Sequence, residues 1–226
     1  MLELLNGIIP NVMNKPDELW QAVVQTLYMF SVAGVIAFVC GLFLGTVLTV
    51  TAPGAILDEK RVFSTLSGII NVFRSIPFVI LLAALIPVSR LIVGTAIGTT
   101  GALVPLVIGT VPFFSRQVES ALAGVDPGLV EAAKSMGSSN LGIIFRVYLK
   151  ESIPSIIRVT QITSISLIGL TAMAGAIGGG GLGDFAIRYG HQRGQTDVTY
   201  VTVIVILLMV WVIQASGNYF IRKLSH

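Results

Sequence analysis

Four long stretches of this chain contain no charged residue, and they limit the possible folds more than any other feature. The stretches are 19–57, 91–115, 159–183 and 198–221. Each is long enough to cross a bilayer once as a helix, because a spanning helix needs about 20 mostly apolar residues. Lipid offers no partners for free backbone groups, and a helix satisfies its own. The sequence therefore predicts an all-α membrane protein.

The composition indicates the same class. Of the 226 residues, 54% are hydrophobic and 11% are charged, whereas soluble domains carry about 25% charged residues. The small net charge of +3 does not suggest nucleic acid as a partner. The single cysteine, Cys40, excludes an intramolecular disulfide and a cysteine-based zinc site. Neither histidine has a spaced partner, so no metal or cofactor is expected in this chain.

A fifth span is predicted around Arg74, the one charge in residues 62–87. Its guanidinium either reaches the membrane interface or faces the bundle interior or a water-filled path. Pro77 is expected to bend this helix. The prediction is thus a single transmembrane domain, 1–226, with five spans. They are placed at 20–50, 62–87, 91–115, 159–183 and 198–221.

The ends of the chain and its basic residues predict an orientation. Residues 1–19 lack a basic start and contain two prolines, so they are predicted to form a short surface segment and not a signal peptide. With the N-terminus outside, ten of the fourteen lysines and arginines fall on the inner side. Cytoplasmic segments are enriched in these residues. We therefore expect an outer N-terminus, a cytoplasmic C-terminus and a cytoplasmic loop at 116–158.

This loop is predicted to contain two capped helices joined at a glycine. Asp126 suits the N-cap, Pro127 the first helical position and Gly137 the left-handed position after the helix. The expected apolar faces are Leu129, Ala132, Ala133 and Met136 in the first helix, and Leu141, Ile144, Phe145 and Tyr148 in the second. Small alanines beside Glu131 would let another protein approach closely. A connector packed only on its own membrane domain is the alternative.

The loop resembles the EAA loop of ABC importer permeases. EAAKSMG at 131–137 is followed at the family's spacing by VYL at 147–149. The matching residues are Glu131, Ala132, Ala133, Gly137, Val147 and Leu149, whereas Lys150 stands where the family pattern has proline. In that family the loop is the coupling helix, which seats in a cleft of the ATP-binding subunit. The resemblance implies this role for residues 131–149.

Two further segments resemble the methionine-importer branch of that family: FRSIPFVILL at 73–82 and TAMAGAIGGGGLGDFAIRYGHQR at 171–193. The resemblance implies a homodimer in a bacterial cytoplasmic membrane, with two ATP-binding subunits that bind ATP and Mg²⁺ and a periplasmic or extracellular substrate-binding protein. Transport of methionine by alternating access is the expected function. A permease for another small solute is one alternative, and an ion-coupled carrier or membrane scaffold is another.

The fourth span ends in a glycine run, 178–183, that fits the dinucleotide-binding pattern G-x-G-x-x-G. No strand–helix–strand unit surrounds it, so the glycines are predicted to loosen the helix end. Met173, among small residues, is a candidate gate, with ordinary packing as the alternative. Arg74 is the second candidate for the translocation path. No ATP-binding motif is present, so the chain is not expected to be an enzyme.

Small residues elsewhere are predicted to bring helices together. The glycine pairs four residues apart are Gly41/Gly45, Gly94/Gly98 and Gly175/Gly179. Beyond the glycine run, the charged residues Asp184, Arg188 and Arg193 are expected on an outer loop with His191. They are predicted either to contact a substrate-delivery protein or to be solvated.

Overall fold

The computed structural model of this chain describes residues 8–224, and its regular structure within that range is helical. The first seven residues of the predicted surface segment lie outside it. In chain order the α-helices are α1 (Pro10–Met13), α2 (Pro16–Thr51), α3 (Lys60–Ser75), α4 (Phe78–Ala84), α5 (Ile86–Val93), α6 (Gly98–Ala123), α7 (Pro127–Ser135), α8 (Asn140–Ile143), α9 (Leu149–Glu151), α10 (Ile153–Ala174), α11 (Gly181–Phe185) and α12 (Thr196–Leu224). Wider π-type turns follow α8, α10 and α11 at Ile144–Tyr148, Gly175–Gly179 and Ala186–His191.

Four of these helices are long and apolar enough to cross a membrane. They are α2, α6, α12 and α10 with the wide turn after it. A fifth span exists if α3 and α4 are counted as one, although they are bent by 101° at their junction. The all-α membrane fold predicted from the uncharged stretches is therefore confirmed.

The second predicted span is broken and not merely bent. Ile76 adopts an extended conformation, with φ −84° and ψ 123°, between the end of α3 and Pro77. A proline disfavours helical geometry in the residue before it, which explains why the helix stops there. The bend predicted at Pro77 is therefore confirmed, and it interrupts the helix within 62–87.

The predicted ends of two other spans also differ from the structure. The third helix runs over Gly98–Ala123 and not over 91–115, because residues 86–93 form the separate helix α5, which ends at a left-handed Gly94. The fourth helix starts at Ile153, inside the predicted loop 116–158. Uncharged stretches locate the apolar part of a helix, whereas helices continue into water, where charges are tolerated.

The chain forms two compact units, and each long helix contributes one part to each. The first unit contains 8–35, 77–107 and 164–213 of the described residues; the second contains 36–76, 108–163 and 214–224. The first unit has two apolar clusters. One is centred on Met29, Leu106 and Leu167, and the other on Leu182 and Phe185.

The N-terminal segment packs into the first unit and does not simply lie on the surface. Val12 of α1 is buried in the cluster around Phe185. The backbone and side-chain nitrogens of Asn11 each donate a hydrogen bond of 2.9 Å to the Asp197 carboxylate. The predicted surface segment is thus fixed to the start of α12, a contact between two distant parts of the chain that sequence spacing does not reveal.

In the second unit, two glycines allow α2 and α6 to pack at very short range. A Cβ atom on Gly41 would lie 2.6 Å from the Phe114 ring, and one on Gly45 would lie 2.6 Å from the Ser115 carbonyl oxygen and from Val118. The predicted packing role of this glycine pair is confirmed. Gly94 and Gly98 have open space around the same position and positive φ, so the prediction for that pair was wrong.

Arg116 also belongs to the second unit, and it ties α3 to α6. Its guanidinium pairs with Glu119 at 2.6 Å and donates to the Asn71 side chain at 3.1 Å, and it also contacts the Ser67 hydroxyl. Arg116 was predicted to begin a loop, but it lies within helix α6.

Candidate functional site

The segment 126–151 of the second unit forms the predicted hairpin, and local hydrogen bonds define its corners. The Asp126 carboxylate accepts a hydrogen bond of 2.8 Å from the Gly128 N–H at the start of α7. Gly137, at φ 79°, ends this helix, and the Ser138 N–H returns to the Ala133 carbonyl at 3.0 Å. Ser139 then caps α8. The predicted caps are confirmed, and they make the hairpin a defined element.

The hairpin turns only part of each predicted face inward: Ala133, Ile144 and Tyr148 pack against the chain as predicted. Val130, Ala133 and Ile143 are buried together. In the first helix, apolar residues occur on both sides, and Val130 packs with Ala133 and Ile143 where Leu129 was predicted. In the second helix, the π-type turn Ile144–Tyr148 takes an extra residue and shifts the 3.6-residue register.

This packing leaves four large apolar side chains of the hairpin exposed. The exposed fractions are 46% for Leu129, 78% for Met136, 67% for Leu141 and 65% for Phe145. We call these four residues the outer hairpin face. Water-exposed apolar side chains grouped on one capped element are typical of a surface that another protein covers.

The residues predicted for coupling lie at three depths. Glu131, Ala132 and Gly137 are exposed, whereas Ala133 is buried inside the hairpin. Val147 and Leu149 are half-buried: Val147 packs on the hairpin cluster, and Leu149 packs on the cluster around Phe114 and Leu122. Ala133, Val147 and Leu149 therefore hold the hairpin on its own chain. Glu131, Ala132 and Gly137 are accessible.

The chain passes Lys150 without the proline of the family pattern. Leu149–Glu151 remain helical and Lys150 is exposed. The bend falls at Ser152, whose hydroxyl donates a hydrogen bond of 3.4 Å to the Ala121 carbonyl, just before α10 begins. Pro154 lies in the first turn of α10, where its missing N–H breaks no helical hydrogen bond.

A cavity of about 350 Å³ lies beside the hairpin. Residues 52–56 form one side, and Glu119, Glu131, Lys134 and Tyr148 contribute its polar and aromatic lining. Partial burial raises the pKa of the Tyr148 phenol, so the group is neutral at physiological pH. Glu131 therefore borders both solvent and a recess of its own chain.

In the first unit, a glycine-rich turn follows α10 and is held by the first long helix. Gln25 accepts a hydrogen bond of 2.7 Å from the Gly181 N–H, and Thr26 accepts one of 2.9 Å from the Leu182 N–H. A Cβ atom on Gly183 would collide with the Ala172 carbonyl oxygen, so the chain folds back tightly on α10. The prediction that these glycines unwind the helix end and permit close backbone approach is confirmed.

Met173 and Arg74, the two predicted path residues, are placed in different units. Met173 lies in the last turn of α10 and is 42% exposed. Arg74 is exposed in the last turn of α3, next to the break before Pro77. Both are therefore accessible, and both lie where a helix stops.

The sequence reasoning missed the polar side chains at the start of α2. Gln21, Gln25 and Thr26 follow Glu18 by three, seven and eight residues, so these four polar residues lie on one side of a mainly apolar helix. This polar stripe could have been recognised in the sequence as a protein-facing side of the helix, because a lipid-facing side would have been apolar. It marks the side of α2 that meets the glycine-rich turn.

Comparison with known proteins gives similarity along nearly the whole chain. Residues 37–226 match the family described as binding-protein-dependent transport system inner membrane component. A probable D-methionine transport system permease protein of Vibrio cholerae is 46% identical, over 93% of each chain. The methionine import system permease protein of Bacillus subtilis is 47% identical, over 89% of this chain and 90% of its own. A chain of the inward-facing MetNI methionine ABC transporter matches with a TM-score of 0.89 and 39% identity, over 96% of this chain and 99% of that one.

Proposed function

We propose that this chain, which belongs to the family of binding-protein-dependent transport system inner membrane components, is the membrane-spanning subunit of an ATP-driven methionine importer. The assignment of methionine as the substrate rests on the nearly full-length similarity to permeases named for methionine transport. Family membership favours this function over the ion-coupled carrier and the scaffold that the sequence left open.

The energy for transport enters from a separate subunit in this proposal. The sequence contains no Walker A motif, so ATP and Mg²⁺ are assigned to two ATP-binding partners. The capped hairpin supports the assignment, because it presents the outer hairpin face beside the accessible residues Glu131 and Ala132. A rigid, exposed apolar element can transmit a push from a partner to the helices that it joins.

The membrane in this proposal is the bacterial cytoplasmic membrane, with the hairpin on the cytoplasmic side. The excess of lysines and arginines in segments on that side supports the orientation. The periplasmic or extracellular face is then left for a substrate-binding protein. Two copies of this chain enclose the path, and the ATP-binding partners shift them between inward- and outward-open states.

Met173 and Arg74 are proposed to border the path. Both are accessible and both lie next to an interruption of a helix. Substrate sites of transporters are commonly formed at such interruptions, where backbone groups are released from helical hydrogen bonds. Met173 can close a narrow passage and still yield, since its side chain is long and flexible.

Replacing Met173 by alanine tests the gate. We expect Met173→Ala to raise ATP-independent leak of methionine from loaded vesicles severalfold, because the side chain that closes the passage is shortened. Co-purification with the ATP-binding subunit should not change. Ile162→Ala, at an exposed site of the same helix, is the control. Equal leak in wild type and Met173→Ala would show that Met173 only packs.

The substrate is tested by reconstitution of the complete transporter in vesicles. We expect ATP-dependent uptake of radiolabelled methionine to exceed that of leucine, glutamine and histidine at equal concentration when the binding protein is supplied. Vesicles with ADP provide the baseline. ATP-dependent uptake of another amino acid but not of methionine would overturn the assignment of methionine as the substrate. Absence of ATP-dependent uptake of any solute would overturn the proposed importer function.

A further inference from the structure

A polar cavity of about 260 Å³ lies in the first unit, between the start of α2 and the glycine-rich turn. Its volume is several times the ~30 Å³ of one water molecule. Glu18, Gln21 and Gln25 line it from α2, and Asp184 and Arg188 line it from the segment after the turn. Charged and amide side chains from two distant parts of the sequence thus face one recess.

One oxygen in this region is buried without a partner. The Oε2 atom of Glu18 has no hydrogen-bond partner among residues 8–224. A buried acceptor that has lost water and gained no donor is costly, most of all when it belongs to a charged group. The side chain of Glu18 also lines the cavity, so its carboxylate is available to a donor that binds there.

The charges around the cavity are not balanced. Asp184 and Arg188 form an ion pair at 3.2 Å. Glu18 does not belong to this ion pair, so the ionised side chains that line the cavity carry a net negative charge. A positively charged donor, such as an ammonium group, fits the Glu18 carboxylate at the cavity wall in both charge and hydrogen bonding.

The surroundings orient both charged groups. The neighbouring Glu18 carboxylate, together with burial, raises the pKa of the Tyr189 phenol, so the phenol stays protonated. The Arg188 guanidinium lies 4.7 Å from the centre of the Tyr189 ring. Asp184 occupies only part of a guanidinium that carries five N–H donors. The remaining donors of Arg188 suit a carboxylate.

We propose that this cavity binds a free α-amino acid as its zwitterion, with the ammonium group on Glu18 and the carboxylate on Arg188. The proposal rests on the proposed function, since the ligand belongs to the class of the transported substrate. It adds a binding site that the chain itself provides. Gly180 helps to keep the cavity open, because a Cβ atom there would lie 2.9 Å from the Gln25 side-chain oxygen.

Binding of radiolabelled methionine to the purified complex of this chain with its ATP-binding subunits tests the site, without binding protein or ATP. We expect Glu18→Gln to weaken methionine binding at least about tenfold, because the variant loses the charged acceptor for the ammonium group. Asp17→Asn is the matched control, because Asp17 is exposed in the same helical turn and does not line the cavity.

Ligand variants test the same contacts without depending on the folding of a mutant. N-acetylmethionine, which lacks the ammonium group, and methioninamide, which lacks the carboxylate, should both compete poorly in wild type. Arg188→Gln should reduce the preference for methionine over methioninamide. If methylamine competes as well as methionine, the cavity takes an ammonium group alone and the amino-acid site is wrong.

Failure of the proposed cavity site and failure of the proposed transport function would give different experimental results. Equal methionine binding in wild type, Glu18→Gln and Asp17→Asn, together with intact ATP-dependent uptake, would overturn the cavity site and leave the importer standing. Loss of binding in Glu18→Gln with full sensitivity to the ligand variants in wild type would support the site. Absence of uptake in the wild-type complex would count against the function itself.

Discussion

Replacing Gly45 by leucine should prevent this permease from reaching its native fold. A Cβ atom alone would lie 2.6 Å from the Ser115 carbonyl oxygen and from the Val118 side chain. The first of these is backbone, so α6 as a whole would have to move away from α2. Overpacking costs about 1–3 kcal/mol even when few atoms are added. For leucine we expect a loss above about 3 kcal/mol, because three further carbons must also be placed.

The measurement is thermal unfolding and size-exclusion chromatography of the purified protein in detergent. Gly68→Leu provides the matched control, because Gly68 lies in helix α3 and a Cβ atom there meets nothing within 4 Å. We expect this variant to keep the wild-type elution profile. If Gly45→Leu and Gly68→Leu unfold at the same temperature, the close approach of α2 and α6 does not stabilise the protein.

A carboxylate on the outer hairpin face should separate the permease from the proposed ATP-binding subunits. Leu141 is 67% exposed in this chain, so Leu141→Asp should leave the isolated permease folded. In the proposed complex, the carboxylate would be buried against an apolar surface without a partner. Interface anchors contribute 2 kcal/mol or more, so we expect assembly to weaken at least about thirtyfold.

Asn140→Asp adds the same charge one residue earlier and is the control. Asn140 is exposed at the first position of α8, where a carboxylate is favourable because the helix dipole is positive there. Co-purification with the ATP-binding subunit and ATP-dependent uptake should be lost in Leu141→Asp and retained in Asn140→Asp. Retention of both properties by Leu141→Asp would show that the partner does not cover this face.

Helix caps and turns could be predicted because their causes are local. Asp126 caps a helix through a backbone N–H two residues away, and Gly137 ends it because glycine adopts positive φ without a steric penalty. The break at Pro77 was underestimated. Proline locally disfavours a helical Ile76, but only contacts elsewhere decide whether the two halves remain aligned or turn by 101°.

The faces of the hairpin could not be predicted from its own sequence. Leu129 and Val130 are neighbours of similar hydrophobicity, and only packing against Ile143 buries one and exposes the other. The outer hairpin face therefore emerged only in the structure. The same holds for Glu18 and Arg188, which are far apart in sequence and share a cavity because Gln25 and Thr26 hold the glycine-rich turn against α2.

The sequence by itself determined the membrane environment, the helical class and the family resemblance of this protein. Long uncharged stretches require a membrane and helices, because lipid tolerates neither charges nor unpaired backbone groups. Only the tertiary structure decided which sides of those helices meet and which polar groups gather. Those choices depend on contacts between distant residues, such as Gly45 with Val118 and Glu18 with the glycine-rich turn, and no local pattern encodes them.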